Sequence, residues 1–226
     1  MGGIRYDGGA GGSIPLTQFS DSMINTLGTL AGPAYWNVFS IVNGTAGVDI
    51  DAQLNSGALG MVFGSGSGIN NNGMRASFFP ASVDPNAVNA GSLTRGSFAQ
   101  WTLVSRTVGI DCDVGLVLMG APGTDQGYVL RTQSETVNQR LEVGARGTVT
   151  YTPRANCFNS APGDIIRFEV RFSPASNEIR TYLNGVLQTV DIDNNAGRPQ
   201  GGQCGFCYIG VFTGVLVMKN FSCGLL

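Results

Sequence analysis

Three pairs of aspartates, each separated by a single residue, are the first candidates for chemistry in this sequence. They are Asp49–Asp51, Asp111–Asp113 and Asp191–Asp193. Residues two apart share one face of a strand, so each pair could bind Ca²⁺ through its carboxylate oxygens or act as acid and base on a glycoside. Solvent-facing aspartates on a strand are the structural alternative. Asp191 and Asp193 follow a predicted hairpin and lead into a loop, which makes them the better calcium candidates.

The five cysteines could in principle supply a zinc site. Cys204 and Cys207 are three residues apart, but structural zinc usually takes a second close pair, and Cys112, Cys157 and Cys223 lie far apart in sequence. The segment that continues from Cys207 has the pattern of a buried strand, in which residues three apart point to opposite faces. We therefore predict buried, reduced cysteines, with zinc and disulfides as the alternatives.

Aromatic and planar polar side chains indicate a sugar-binding surface. A shallow groove that binds sugar combines flat aromatic faces with planar hydrogen-bonding groups. We predict that Trp101 belongs to the core rather than to this surface, because it alternates in phase with Ala99 and Leu103 along a predicted strand. The candidate ligand-binding residues are Trp36, Tyr128, Arg167, Arg171, Arg180 and Tyr182.

Missing residue types exclude several kinds of function. Histidine is absent, which removes Ser-His-Asp and Cys-His nucleophile systems, a histidine general base, and zinc or haem sites that need histidine. The net charge is −2 and Lys219 is the single lysine, which argues against a broad phosphate-binding surface. We predict no enzymatic activity, no cofactor other than a possible calcium ion, and no nucleic-acid partner.

The elements that must position these residues are short β-strands. Ile166–Phe172 alternates apolar and charged residues, as a half-buried strand does. Ile179–Leu183 and Val186–Val190 flank Asn184-Gly185, a pair that favours a two-residue type I′ hairpin turn. Pairing through this turn places Leu183 opposite Val186 and Ile179 opposite Val190.

About eleven further strands are predicted, separated by Gly-, Asn- and Pro-rich turns, so the chain has the pattern of an all-β sandwich. They are Val38–Val42, Ala46–Leu54, Ala58–Phe63, Met74–Phe79, Phe98–Ser105, Val114–Met119, Gly127–Thr132, Arg140–Val143, Thr148–Thr152, Gly205–Phe212 and Val215–Phe221. Leu16–Leu30 has the spacing of a short amphipathic helix, although Gly28 weakens it. Gly64–Gly73 and Asn194–Gly202 are predicted to be exposed loops.

Composition agrees with one domain preceded by an arm. Apolar residues make up 42% of the 226 residues and charged residues only 12%, so the chain can bury a sizeable core. Residues 1–15 are rich in glycine and are expected to form a flexible or partner-ordered arm, with the sandwich in residues 16–226. The first residues lack the pattern of a secretory signal, and no apolar run approaches the roughly 20 residues that cross a bilayer. We expect no membrane insertion.

The last third of the chain resembles the concanavalin A-like (laminin G-like) β-sandwich superfamily. Tyr182-Leu183-Asn184-Gly185 matches the hairpin of that superfamily, Gly210-Val211-Phe212 the strand that follows, and Asn220-Phe221 the ending. The opening, Phe19 to Trp36, is similar to lectin-like domains in minor tail proteins of actinobacterial siphophages. This resemblance spans residues 17–224 and implies an antiparallel jelly-roll sandwich in which Phe19–Leu30 is extended rather than helical.

The resemblance implies a function in a phage particle. The chain would be a virion structural protein, a minor tail or decoration component made in the host cytoplasm, which docks on other virion proteins through its arm and presents the sandwich to a host-surface glycan. Several copies, or a homo-oligomer, are expected. A free carbohydrate-binding lectin is the first alternative, and a glycoside hydrolase that uses an Asp pair such as Asp111 and Asp113 is the second. The superfamily's Glu-x-Asp-x-x-Glu hydrolase strand is absent, and Lys219 replaces an acidic residue that several relatives carry.

Overall fold

A computed structural model describes residues 18–23, 36–40, 55–57, 59–64, 75–80, 96–106, 112–120, 127–133, 138–144, 151–210 and 215–226. Within these residues the regular structure consists of antiparallel strands. The strands are β1 Gln18–Asp21, β2 Trp36–Ser40, β3 Asn55–Gly57, β4 Gly60–Gly64, β5 Arg75–Pro80, β6 Ser97–Arg106, β7 Cys112–Gly120, β8 Gly127–Gln133, β9 Asn138–Gly144, β10 Tyr151–Asn159, β11 Ile165–Phe172, β12 Asn177–Leu183, β13 Val186–Asp193, β14 Gln203–Gly210 and β15 Val215–Leu225.

The strands form two sheets. Sheet 1 has the order β13-β12-β11-β6-β15-β4-β3, and β1 also pairs with β15. Sheet 2 has the order β10-β9-β8-β7-β14-β5-β2. Sequential hairpins build one side of each sheet, whereas β6, β14 and β15 join segments that are distant in sequence. The predicted all-β, antiparallel sandwich is confirmed. The described residues contain no helix with the length and hydrophobicity that a membrane crossing requires.

The core lies between the sheets and follows from strand alternation. Ile166, Phe168 and Val170 on β11 are fully buried, and burial of each such side chain contributes about 1.5–3 kcal/mol. Trp101 is also fully buried and packs against Phe206 with ring centroids 6.1 Å apart. The prediction that Trp101 belongs to the core is confirmed.

The hairpin between β12 and β13 has the predicted turn but a different register. Asn184 and Gly185 have φ values of 51° and 80°, as a type I′ turn requires, and Leu183 lies opposite Val186. Beyond the turn, Ile179 pairs with Asp191 rather than with the predicted Val190. The register shifts between Thr181 and Tyr182, where β13 carries one extra residue.

This bulge reverses the faces of β13. Thr181 pairs with Thr189 and Tyr182 with Leu187, which leaves Gln188 as the extra residue. Because side chains alternate along a strand, one inserted residue exchanges the inward and outward sets beyond it. Asp191 and Asp193 therefore lie on the inward face, and the apolar residues between and before them face outward.

Two local predictions at other places are corrected. Gln18–Asp21 is a strand rather than the helix that the spacing of Leu16–Leu30 indicates, because its backbone pairs with β15 and Phe19 lies opposite Cys223. The described part of this segment is thus extended, as the resemblance implied. The segment 194–202 is not fully exposed: Arg198 and Pro199 are buried, since Arg198 donates to the backbone oxygens of Ser173 and Pro174.

Of the strand predicted over 148–152, the structure describes only residues 151 and 152, which begin β10. This strand extends to Asn159, with irregular pairing after Pro153 that an edge strand tolerates. Several predictions lie outside the described residues: the arm 1–15, the strand 46–54 and the loop after Gly64.

Candidate functional site

The outward side of β11 and β12 carries alternating charges. We call this surface the arginine face; it consists of Arg167, Glu169 and Arg171 of β11 and Glu178, Arg180 and Tyr182 of β12. Across the two strands Glu169 lies opposite Arg180, and Arg171 lies opposite Glu178. Opposite charges at directly paired positions stabilise a sheet. Four of the six residues predicted to bind ligand are thus brought together on one surface.

Glu169 fixes the geometry of the arginine face. Its side chain is largely buried, although it is on the outward side of the sheet. Oε1 accepts hydrogen bonds from Arg167 Nε at 3.0 Å and Nη2 at 2.8 Å, and Oε2 accepts one from the Tyr182 hydroxyl at 3.0 Å. Arg171 Nη2 lies 3.4 Å from Oε2. One carboxylate therefore orients two guanidinium groups and a phenol ring.

Arg167 has further contacts on β6. Its Cζ lies 4.0 Å from the centroid of the Phe98 ring, and its Nη1 donates to Gln100 Oε1 at 3.1 Å. A cation over an aromatic face contributes about 0.5–2 kcal/mol. Arg167 is therefore held as part of the sheet surface, whereas Arg171, with 47% of its side chain exposed, extends into solvent.

A cavity opens at the end of the arginine face that is nearest the β11–β12 turn. Its volume is about 310 Å³, which is at the lower end of the range for small-molecule pockets. The lining residues are Arg171, Phe172, Ser173, Ser176, Glu178, Arg180 and Ile192. Hydrogen bonds close the turn itself: Ser173 Oγ accepts from Ser176 N at 3.0 Å and donates to Ser176 O at 2.8 Å.

Apolar residues of β13 border the arginine face. Leu187, Val190 and Ile192 have 45%, 50% and 50% of their surface exposed. Leu187 faces outward because it pairs with Tyr182, and the bulge at Gln188 turns Val190 and Ile192 to the same side. β13 is also the last strand in the order of sheet 1. The surface therefore combines planar charged groups with an apolar margin.

Charge on the arginine face differs in sign from that of the whole chain. Three arginines and two glutamates give it one excess positive charge, whereas the chain has a net charge of −2. Arg180 donates from Nε to Glu178 Oε1, and this hydrogen bond raises the pKa of the Arg180 guanidinium above its ordinary value. Arg180 therefore keeps its positive charge.

The structure places Asp191 and Asp193, the predicted calcium ligands, beside an arginine. Arg154 on β10 donates from Nε to Asp191 Oδ2, and its Nη1 lies 3.3 Å from Asp193 Oδ1. Burial lowers the pKa of Arg154, but its hydrogen bond to Asp191 and the charges of both aspartates outweigh burial and raise it. The positive charge between these carboxylates is thus supplied by Arg154. Among the described residues, no three His, Cys, Asp or Glu side chains group as metal ligands.

Tyr128 and Trp36 are not on the arginine face. Tyr128 is fully buried; its hydroxyl donates to Asp193 Oδ2 at 2.7 Å and accepts from Asn177 Nδ2 at 2.9 Å. Burial raises the pKa of Tyr128 above its ordinary value, so the hydroxyl keeps its proton. A side chain without exposed surface cannot touch a glycan, so we remove Tyr128 from the predicted ligand set. Trp36 lies on β2 at the end of sheet 2, and its side chain is outside the described part of the structure.

The cysteines that the structure describes are free thiols. Cys204, Cys207 and Cys223 are buried and Cys157 is half-buried. Cys204 and Cys223 belong to the core between the sheets, whereas Cys207 follows Cys204 by three positions and is outside that cluster. The prediction of buried, reduced core cysteines is thus confirmed for Cys204 and Cys223, whereas Cys207 is buried outside the core cluster and Cys157 is only half-buried.

Side chains on the outward side of sheet 2 are buried across the centre of the sheet. Val117, Val129 and Cys207 are buried there. A Cβ on Gly115 would come within 2.3 Å of a Val129 methyl group, so this position accepts only glycine. Arg131 and Glu142 form an ion pair at 3.5 Å with little exposure. Sheet 1 is therefore the sheet on which we place the site.

The proposed hydrolase pair is only partly visible. Asp113 lies on β7, opposite Gln133 and Ile209 in the pairing. Asp111 lies outside the described residues.

Sequence reasoning missed Glu169, Glu178 and the two serines. The signal for Glu169 was present, because Arg167-Phe168-Glu169-Val170-Arg171 places three charged residues on one strand face. The cavity had no such signal, since it depends on how the β11–β12 turn and β13 come together.

Comparison of the fold with solved structures finds carbohydrate-active and carbohydrate-binding proteins. An endo-1,3-β-glucanase from Streptomyces sioyaensis superposes with a TM-score of 0.58 at 12% identity, covering 96% of this chain and 100% of that chain. The carbohydrate recognition domain of Emp46p superposes with a TM-score of 0.56 at 7% identity, covering 91% and 96%. The carbohydrate-binding module CBM66 from Bacillus subtilis gives 0.51 at 13% identity, covering 84% and 94%.

No family model and no curated protein matches the sequence. The structural neighbours do not bear on the predicted place in a phage tail, on virion partners or on oligomeric state, all of which stay predictions. The similarity to them extends over most of each chain, but at identities this low it establishes architecture alone. The resemblance seen in the sequence is thus confirmed for the fold: the chain has the concanavalin A-like β-sandwich architecture.

Proposed function

We propose that this protein binds carbohydrate and that its sugar site is the arginine face with the cavity at its end. The observation that carries the proposal is the network centred on Glu169. It holds Arg167, Arg171 and Tyr182 on one surface beside a cavity of about 310 Å³. Binding is stronger when its groups are already oriented, because less entropy is lost on association.

The chemistry of this surface suits a sugar. Guanidinium groups donate two parallel hydrogen bonds, which neighbouring oxygens of a sugar can accept, and Glu178 can accept bonds from sugar hydroxyls. The Tyr182 ring and the exposed Ile192 offer apolar surface to the C–H groups of a ring. A pocket with apolar walls and a few placed polar groups is typical of ligand sites.

We propose binding rather than hydrolysis at this face. Glycoside hydrolysis uses two carboxyl groups about the scissile bond, one of them protonated. The two carboxylates here, Glu169 and Glu178, accept hydrogen bonds from arginines within the sheet. They therefore serve to hold donors in place.

A glycan array with matched variants tests the proposal. The double substitution Arg171→Ala/Tyr182→Ala removes one planar donor and the aromatic ring, and we expect at least about a tenfold loss of affinity, since each charged hydrogen bond contributes about 1.5–3 kcal/mol. Lys219→Gln is the control, because it removes a positive charge from β15 of the same sheet. Binding that the double variant retains in full, or a wild-type protein that binds no glycan, would contradict the proposal.

A further inference from the structure

We infer that the sugar recognised at this site carries an oxyanion, a carboxylate or a phosphate, which lies in the cavity between Arg171 and Arg180. The inference rests on the proposed function and narrows it to acidic glycans. Its basis is that guanidinium groups from two neighbouring strands line one small cavity. Arginine presents a planar fork of donors that matches carboxylate and phosphate oxygens.

Arg171 has most of its hydrogen-bonding capacity available. Its side chain is 47% exposed, and its contact with Glu169, at 3.4 Å, is long for a charged pair. A ligand oxyanion could replace or supplement that contact without breaking the network, because Glu169 keeps its two bonds from Arg167 at 3.0 and 2.8 Å.

The remaining lining groups also favour an anion. Arg171 and Arg180 bring two positive charges, and Glu178 brings one negative charge, so the cavity has one excess positive charge. Ser176 adds a hydroxyl group that can donate to an anion, whereas the Ser173 hydroxyl already donates to the backbone oxygen of Ser176. Glu178 balances the charge of Arg180 alone, so a bound oxyanion would balance the charge of Arg171.

The cavity is open to solvent, so it can receive one unit of a longer glycan while the rest of that glycan lies outside. Its volume of about 310 Å³ is close to the lower limit for small-molecule pockets. The exposed Ile192 forms an apolar wall, against which the carbon skeleton of that unit would pack.

Binding to three matched oligosaccharides tests the charge requirement. The probes are an oligogalacturonate, its methyl ester and the neutral oligogalactoside, with galactose 6-phosphate to distinguish phosphate from carboxylate as the source of the oxyanion. Calorimetry should give at least about tenfold tighter binding of a charged probe than of the methyl ester. One charged hydrogen bond changes affinity by about that factor of ten. Added salt should weaken binding of the charged probe, because the groups are partly exposed.

Arg171→Gln and Arg180→Gln should each abolish the preference for the charged probe, and Lys219→Gln should leave it unchanged. Equal binding of the ester and the acid, or a preference that survives both arginine substitutions, overturns the inference but leaves a neutral-sugar function intact. A protein that binds none of these probes, but binds neutral glycans on an array, overturns the inference in the same way. Absence of binding to any glycan overturns the proposed function itself.

Discussion

At the scale of single residues, the two tyrosines of the predicted site have opposite roles. Tyr182 is half-buried on the arginine face, where its hydroxyl bonds Glu169. Tyr128 is fully buried and connects the two sheets, because its hydroxyl on β8 reaches Asp193 on β13 and Asn177 on β12. A tyrosine whose hydroxyl has two hydrogen-bond partners in the core links the two sheets by polar contacts within an apolar layer.

Tyr128→Phe should destabilise the fold. The substitution keeps the ring but leaves the buried Asp193 and Asn177 without one partner each, and an unsatisfied buried polar group costs about 1–3 kcal/mol. Urea unfolding measures the change in the free energy of unfolding. Tyr182→Phe is the matched control and should cost less than about 1 kcal/mol, since Glu169 keeps its contacts with Arg167 and Arg171. Equal changes in the free energy of unfolding for the two substitutions would contradict the role of Tyr128 as a link between the sheets.

At the scale of elements, Arg154 closes one side of the sandwich. β10 is the last strand of sheet 2 and β13 the last strand of sheet 1. Arg154 bonds Asp191 and Asp193, and its Nη2 donates to the backbone oxygen of Ile192 at 3.1 Å. The last contact also occupies a backbone acceptor of β13, which among the described residues pairs with β12 alone. Such a strand would otherwise be open to pairing with another strand.

Arg154→Gln should therefore be strongly destabilising. Removing one partner of a buried ion pair leaves its carboxylate uncompensated, at a cost of about 3 kcal/mol, and Asp193 is only 1% exposed. Thermal or urea unfolding would measure the loss. Arg171→Gln removes the same kind of side chain from an exposed position and should change the free energy of unfolding by less than about 0.5 kcal/mol. A small effect of Arg154→Gln would mean that the two sheet edges are held by other contacts.

The sequence predicted the positions of the strands better than it predicted which side of the sheet their side chains occupy. Asn184-Gly185 identifies its hairpin because few residue pairs adopt positive φ, and the alternation of Ile166–Phe172 identifies β11 and its inward side. The bulge at Gln188 has no comparable local signal, since an unpaired residue is defined by its partner strand. For the same reason the roles of Asp191, Asp193 and Tyr128 could not be read from the chain alone.

At the scale of the whole molecule, buried titratable groups make stability depend on alkaline pH. Burial raises the pKa of Cys157 and, together with a hydrogen bond that the Cys223 thiol donates to Cys204, raises that of Cys223 above the ordinary value of 9.0. Burial likewise raises the pKa of Tyr128 above its ordinary value of 10.0. As pH rises through these ordinary values, the unfolded chain loses these protons before the folded protein does.

The folded protein then binds more protons than the unfolded chain, so the free energy of unfolding must fall with rising pH. We expect full stability below about pH 8.5 and a progressive loss above pH 9, by up to about 1.4 kcal/mol per pH unit for each fully shifted group. Urea midpoints from pH 7 to 10.5, measured with a reductant present, would check this. Cys223→Ala should flatten the slope, and a midpoint that is constant or rises with pH would contradict the expectation.

The extra residue in β13 has a consequence for how this protein can change over time. Side chains alternate along a strand with a period of two. Deletion of one residue between the turn and Thr189 would therefore replace the apolar border of the arginine face with an acidic one in a single event. No point substitution achieves that exchange. Insertions and deletions, rather than substitutions, thus change which side chains this border presents, and an alignment that forbids gaps at Gln188 would equate residues from opposite sides of the sheet.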